Sequence, residues 1–359
     1  MLIDGLDGRR RASSRLPQYL MNAMLAQARA VAVVGVMRPR LGQELCAGPA
    51  SAYNQLGAAC QQGKCVQPIL GLIKTMRPRQ WTKNVIIYAG LVFDGQAFSP
   101  EPLLRVTVAF SLLCLISGAV YIINDLVDVE SDRQHPTKRK RPIASGRVPL
   151  GLARVVAVIL PLVIFAVAFA FSPPFAAVII AYFVLQLAYS FSLKRIVILD
   201  VLTVMMGFIL RVVAGVVVIE VAQFSPWLYA STALLALFLI VGKRRQELLQ
   251  LAEQAGSLRV TLRHYNLPLL DDMLRMVMTG TLITYLLYTI EAPSPLLAGT
   301  NLALLTVPFV LYGVLRYLYL IHAKGEGSAP DEVLLKDRPL QAAIVLWGIT
   351  FLAILYLPG

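Results

Sequence analysis

The sequence predicts an all-α polytopic membrane protein with about nine transmembrane helices, and three observations carry that prediction. Of the 359 residues, 57% are hydrophobic and only 15% are charged, with a mean hydropathy of +0.68. Apolar runs at 103–123, 150–171, 197–219 and 227–241 approach or exceed the roughly 20 residues needed to cross a bilayer. Lys and Arg gather before the first span and in every second connection after it, as the positive-inside rule asks of cytosolic loops.

Residues 1–67 come first and read differently. They carry scattered Arg, Ala and Gly, and an apolar run at 30–37 that is too short to span. No cleavage site follows a core of signal-peptide length. The segment reads as a cytosolic or interfacial extension of unassigned role, with a composition compatible with partial disorder. Cys46, Cys60 and Cys65 lie there without a nearby His, and Cys114 lies inside a span. All four read as unpaired thiols in a reducing cytosol. The second region, 68–359, holds the expected spans near 84–100, 103–123, 150–171, 174–191, 197–219, 226–242, 272–291, 299–320 and 340–357. The first is the weakest, because Asp94 and Gly95 interrupt it.

Charge then orients the bundle. Arg77, Arg79 and Lys83 precede the first span. Basic residues recur in the 124–147 segment, at Lys194–Arg195, at Lys243–Arg245 with Arg259 and Arg263, and at Lys324, Lys336 and Arg338. The connections near 94–102, 172–174, 220–226 and 292–298 contain no Lys or Arg. The basic loops therefore face the cytosol and the C-terminus faces outward, in a multi-pass protein of the cytoplasmic (inner) membrane. The formal charge of +13 reflects topology and anionic ligands. Nucleic-acid binding would need a basic soluble module, and none is visible.

The segment YIINDLVDVESDRQHPTKRKRPIASG, 121–146, is the most informative. If the apolar helix continues through it, Asn124, Asp128 and Asp132 recur every four residues on one face, with Asp125 alongside. Oxygen ligands at that spacing suit Mg²⁺, which keeps waters and completes its shell with substrate phosphates. Arg133, Lys138, Arg139, Lys140, Arg141 and Arg147 follow and would grip those phosphates. Charge clusters between spans are ordinarily solvated loops, but segregated signs at helical spacing favour a site that splits a diphosphate at the membrane surface. Other cytosolic clusters complete it or merely anchor the bundle: RPRQWTKN (77–84), AYSFSLK (188–194), GKRRQELLQ (242–250) and PDEVLLKDRPLQ (330–341). Arg211 lies well inside a span, where a lone charge costs several kcal/mol and calls for a partner. An anionic lipid phosphate and an interhelical salt bridge are the two candidates. Asp200, three turns earlier, is too far along the helix to touch it.

The order NDxxDxxxD, basic run, RPIASG resembles the UbiA-type membrane prenyltransferase superfamily. RPRQWTKN, DRQHPTKRKRPIASG, LAYSFSLK, FILRVVAG, GKRRQEL and PDEVLLKDRPLQ resemble its decaprenyl-phosphate phosphoribosyltransferase branch, over about residues 68–359. The resemblance implies helices around a central cavity with cytosolic cap loops. It implies Mg²⁺ on Asn124 and Asp128, with Asp132 as a third catalytic residue and Asp125 in support. Lys83, Tyr121, Lys138, Arg141, Tyr189 and Lys194 would bind 5-phosphoribosyl 1-diphosphate, and Arg211 would meet a polyprenyl phosphate arriving from the membrane lipids. The product would stand upstream of arabinose donors for cell-envelope glycans. One departure is informative: the loop after the sixth span lacks the second aspartate-rich motif and opens instead with Lys243–Arg245. An extra sugar phosphate wants cations there. The competing readings are an aromatic prenyltransferase acting on a prenyl diphosphate and, outside enzymes, a transporter or lipid-binding protein. The lipid chain length and a homo-oligomeric state stay open.

Overall fold

In a computed structural model of the chain, the described residues are 66–221, 225–253, 260–291, 301–323, 333 and 336–356. The chain divides into units Met1–Val66 and Gln67–Gly359, and everything below concerns the second, entered through α1 (Val66–Thr75). The extension with Cys46, Cys60 and Cys65 lies outside the described residues, as do Arg259, Lys324 and the connection 292–298.

Every regular element among the described residues is helical. Among the described residues, eight helices are long and apolar enough to cross a membrane. They are α3 (Pro100–Val127), α5 (Leu150–Phe171), α6 (Pro173–Phe191), α7 (Leu199–Val218), α8 (Pro226–Glu253), α9 (Leu267–Glu291), α10 (Val307–Ala323, led in by a 3₁₀ turn, Leu302–Thr306) and α11 (Arg338–Tyr356). Large apolar side chains such as Val158, Leu162, Phe169 and Ile349 point outward, where lipid would cover them. The most apolar window of α3 is 61% buried against 22% for α11, so α3 is the central helix and α11 a peripheral one. Ser172 alone joins α5 to α6: it ends one helix and caps the next, accepting from the Phe175 N–H.

The expected first span, 84–100, is a correction. The chain enters it as an eleven-residue 3₁₀ helix, Pro78–Tyr88, followed by the short α2 (Ala89–Phe93). Arg77 starts it in the left-handed region at φ 55°, and Pro78 occupies its first turn. Runs of 3₁₀ this long are uncommon, and they eclipse residues three apart. Arg77, Gln80 and Lys83 therefore fall on one edge. The helix stops where Asp94 and Gly95 (φ 77°) turn the chain.

This broken element is held against α7 by a backbone contact. A β-carbon on Gly215 would lie 1.9 Å from the Ile87 carbonyl oxygen, so only glycine lets the two elements approach so closely. Around the contact, Ile87 and Leu91 pack with Ile116, Ile179, Ala214 and Val218 in one apolar cluster. A second cluster joins Val201, Phe238, Leu274, Tyr317 and Leu340 across α7 to α11.

Gly215→Ala is expected to push α7 off the 3₁₀ element. Overpacking of a tight core costs about 1–3 kcal/mol, so the melting temperature in detergent should fall and turnover with it. Gly151→Ala, where a β-carbon meets nothing within 4 Å, should change neither.

Candidate active site

Two polar stripes on otherwise apolar helices face each other across a cavity of ≈ 280 Å³. On α3 the stripe is Ser117, Tyr121, Asn124 and Asp128; on α6 it is Tyr182, Gln186, Tyr189 and Ser190. Both follow the i, i+4, i+7 spacing of a single helical face. The eclipsed edge of the 3₁₀ element supplies Arg77, Gln80 and Lys83, and the turn after α6 supplies Lys194. Arg141 reaches in from the loop after α4 (Val129–Gln134), and Arg211 from α7. The wall carries five cationic side chains and two carboxylates, Asp125 and Asp128.

The acidic cluster is divided between two jobs. Asp125 and Asp132 are buried and neutralise arginines: Arg77 Nη2 donates to Asp125 Oδ1 at 2.7 Å, and Arg141 Nη1 donates to Asp125 Oδ1 at 3.2 Å and Asp132 Oδ2 at 2.7 Å. Arg77 also lies 4.6 Å over the Tyr121 ring, a cation–π contact. The helix breaks at Asp128, which ends α3 at φ −90°, ψ 6°. Asp132 therefore does not continue the Asn124–Asp128 face; it turns back to share Arg141 with Asp125. The Asn124 and Asp128 side chains line the cavity with no hydrogen-bond partner among the described residues.

A divalent cation fits that pair. Among the described residues no three His, Cys, Asp or Glu side chains converge as a ready-made metal cage. A carboxamide oxygen and a carboxylate one turn apart, both half-buried at a cavity wall, match the way Mg²⁺ binds proteins. It takes one or two protein oxygens and completes its octahedron with water and phosphate.

Arg211 lies at the floor of the cavity, 9% exposed. Its Nε donates to Asn84 Oδ1 (2.8 Å), Nη1 to the Gly207 carbonyl (2.7 Å) and Nη2 to Tyr182 Oη (2.9 Å). Asn84 and Tyr182 are themselves tied to Ser117, at 3.5 Å and 3.1 Å. Every one of these partners is neutral, and among the described residues no carboxylate pairs with Arg211. The interhelical salt bridge is thus not formed. Asp200 is instead buried against Arg244, 3.3 Å from its Nε in a close but poorly aligned ion pair.

The structure brings together Lys83, Tyr121, Asn124, Asp128, Arg141, Tyr189, Lys194 and Arg211 from the expected set. It sets two others apart from the wall. Asp132 acts through Arg141, and Lys138 stands exposed in a 3₁₀ turn (Lys138–Lys140) whose end leads into Arg141. The Lys243–Arg245 cations belong to no loop: α8 runs through them. Arg244 binds Glu247 at 2.5 Å as well as Asp200, Arg245 binds Asp271 at 2.6 Å, and Arg316 makes a two-point pair with Asp337. None of these lines the cavity. The residues sequence reasoning missed are Gln80, Ser117, Tyr182, Gln186 and Ser190; the signal of the last four was the polar stripe hidden in each apolar run, and that of Gln80 its place three residues from both Arg77 and Lys83.

A helical membrane bundle with a polar, cation-rich cavity at one end is a class with known members. Residues 84–336 match the UbiA prenyltransferase family. The decaprenyl-phosphate phosphoribosyltransferase of Mycobacterium tuberculosis is 35% identical over 291 residues, covering 79% of this chain and 93% of its own. The protein of that name from Corynebacterium glutamicum is 35% identical over 292 residues, covering 80% and 87%. A solved UbiA homologue from Archaeoglobus fulgidus, bound to DMAPP and Mg²⁺, shares the fold with a TM-score of 0.59 at 16% identity. That match covers 80% of this chain and 99% of the homologue. The chain belongs to the UbiA prenyltransferase family and is a membrane transferase.

The two halves of the acidic cluster should fail differently. Asp125→Ala strands two arginines, each about one-third exposed, so the stability loss should sit at the low end for a broken buried pair, about 3 kcal/mol. Asp128→Ala should leave the stability within about 0.5 kcal/mol of wild type while removing turnover. Calorimetry or dye-based melting alongside an activity assay separates them.

Proposed function

We propose that the protein transfers 5-phosphoribose from 5-phosphoribosyl 1-diphosphate to a polyprenyl phosphate. The observation that carries this reading is the charge of the cavity wall: five cations face two carboxylates, one of which is already paired with arginines. Such a wall suits a polyanion. A sugar donor with a diphosphate and a 5-phosphate, plus a lipid phosphate, brings more negative charge than a prenyl diphosphate with a neutral aromatic acceptor. The named relatives support the same choice.

In this reading Lys83, Lys194, Arg77 and Arg141 hold the donor phosphates through charge-assisted hydrogen bonds, Tyr121 and Tyr189 flank them, and Arg211 orients the lipid phosphate. Asn124 and Asp128 would hold Mg²⁺, which supplies electrostatic stabilisation to the departing diphosphate. The lysines and arginines around the leaving group stabilise the same developing charge. The C1–O bond to diphosphate breaks as a lipid phosphate oxygen forms the new bond from the opposite face, inverting the centre. A phosphate is already ionised near neutral pH, so no general base is needed, and holding the two substrates in line supplies much of the rate. The site opens to the cytosol in the orientation that the Lys/Arg asymmetry favours. The product, polyprenyl-phosphoryl 5-phosphoribose, would serve the synthesis of arabinose donors for the cell envelope.

Purified protein given labelled 5-phosphoribosyl 1-diphosphate and polyprenyl phosphate should form a labelled lipid only when Mg²⁺ is present, and Asn124→Ala should reduce turnover by at least about 100-fold. Undiminished turnover in a chelator would remove the metal from the scheme. Transfer of a prenyl group to an aromatic acceptor, with no phosphoribosylated lipid, would replace the scheme altogether.

A further inference from the structure

The turn that carries Lys194 ends in a strained residue. Ile198 sits at φ 69°, ψ −46°, a region that a β-branched side chain essentially avoids. The residue is 51% exposed, so packing does not compensate the strain. Something else must hold the backbone there. The Ile198 N–H donates to Tyr265 Oη at 2.8 Å, a contact spanning 67 positions. The same hydroxyl donates to Asp200 Oδ1 at 2.9 Å. Asp200 is fully buried and lies against Arg244, which also binds Glu247. Tyr265 follows a 3₁₀ turn, Val260–His264, between α8 and α9. Burial foremost, with Asp200 adding to it, pushes the Tyr265 phenol up to about 12. It therefore stays protonated at neutral pH and can donate and accept at once.

We infer that Tyr265 is a positioning residue: it straps the Leu193–Ile198 turn in its strained form and so sets Lys194 at the cavity wall. The buried Asp200–Arg244 pair is the anchor of that strap, which gives a purpose to an ionic cluster the cavity does not use. The inference rests on Lys194 being a donor-phosphate ligand. Geometry sets the direction of the effect. Without the hydroxyl, Ile198 relaxes toward negative φ and the lysine four residues earlier is displaced, while Arg211 and its neutral partners, Asn84, Gly207 and Tyr182, are untouched.

The test uses the full-length protein in detergent, with Tyr265→Phe alone and combined with Ile198→Gly, since glycine adopts positive φ without cost. Tyr265→Phe is expected to raise the apparent donor KM about five- to tenfold at unchanged lipid KM, and to speed hydrogen exchange of the 193–198 amides. The added Ile198→Gly should recover most of the donor KM. Faster exchange with an unchanged donor KM would support the strap and overturn the role given to Lys194. Unchanged exchange would overturn the strap. So would a loss of both substrates with a lowered melting temperature that Ile198→Gly fails to correct, because the cluster would then be holding the fold alone.

Discussion

A guanidinium buried among apolar helices with only neutral partners is the constraint around which the site is built. Removing a charge from water into a bundle costs several kcal/mol unless a counter-charge is supplied. Arg211 has none among the described residues: its bonds go to a carboxamide, a peptide carbonyl and a phenol. Those three bonds fix its orientation and leave donor capacity on both terminal nitrogens. Asn84 and Tyr182 are held in turn through Ser117, so the floor of the cavity is a pre-oriented cationic surface. The Gly215–Ile87 contact matters for the same reason. It brings together the two elements that carry Arg211 and Asn84.

The same economy of charge explains why four acidic or amide groups at one helix end do not form one metal cage. Two of them are consumed in holding Arg77 and Arg141, and those arginines thereby become fixed parts of the cavity wall. The remaining pair, Asn124 and Asp128, lines the cavity with side chains that no other described residue claims. In the proposed scheme, phosphates would complete both the charge balance of the cation-rich wall and the coordination shell of a cation on that pair.

Much of this was legible in the residues. Apolar run length located the eight long helices found among the described residues, because lipid imposes a length on each of them. The break of the first span was foreshadowed by Asp94 and Gly95, but its 3₁₀ winding depends on Arg77 and Pro78 and on contact with α7, which no local period reveals. The Lys243–Arg245 cluster looked like loop cations available to a sugar phosphate. KRRQELLQ is rich in strong helix formers, however, and α8 runs on through it, with its arginines claimed by Asp200, Glu247 and Asp271. The division of the acidic cluster was invisible for a related reason: Arg77 is 48 positions from Asp125, and such pairings are set by packing. The stripes 117–121–124–128 and 182–186–189–190 were readable as polar faces, yet in runs this apolar their spacing is easily passed over.

In the proposed scheme the phosphate of a lipid completes the buried charge on Arg211. Binding of a polyprenyl phosphate and of the corresponding uncharged polyprenol, measured side by side on wild type and on Arg211→Gln, tests it most directly. Wild type is expected to prefer the phosphate by about tenfold or more, in keeping with one charge-assisted contact of roughly 1.5–3 kcal/mol. Arg211→Gln is expected to lose the preference while still binding 5-phosphoribosyl 1-diphosphate. A variant that kept the preference, or that lost the sugar donor and kept the lipid phosphate, would contradict the scheme.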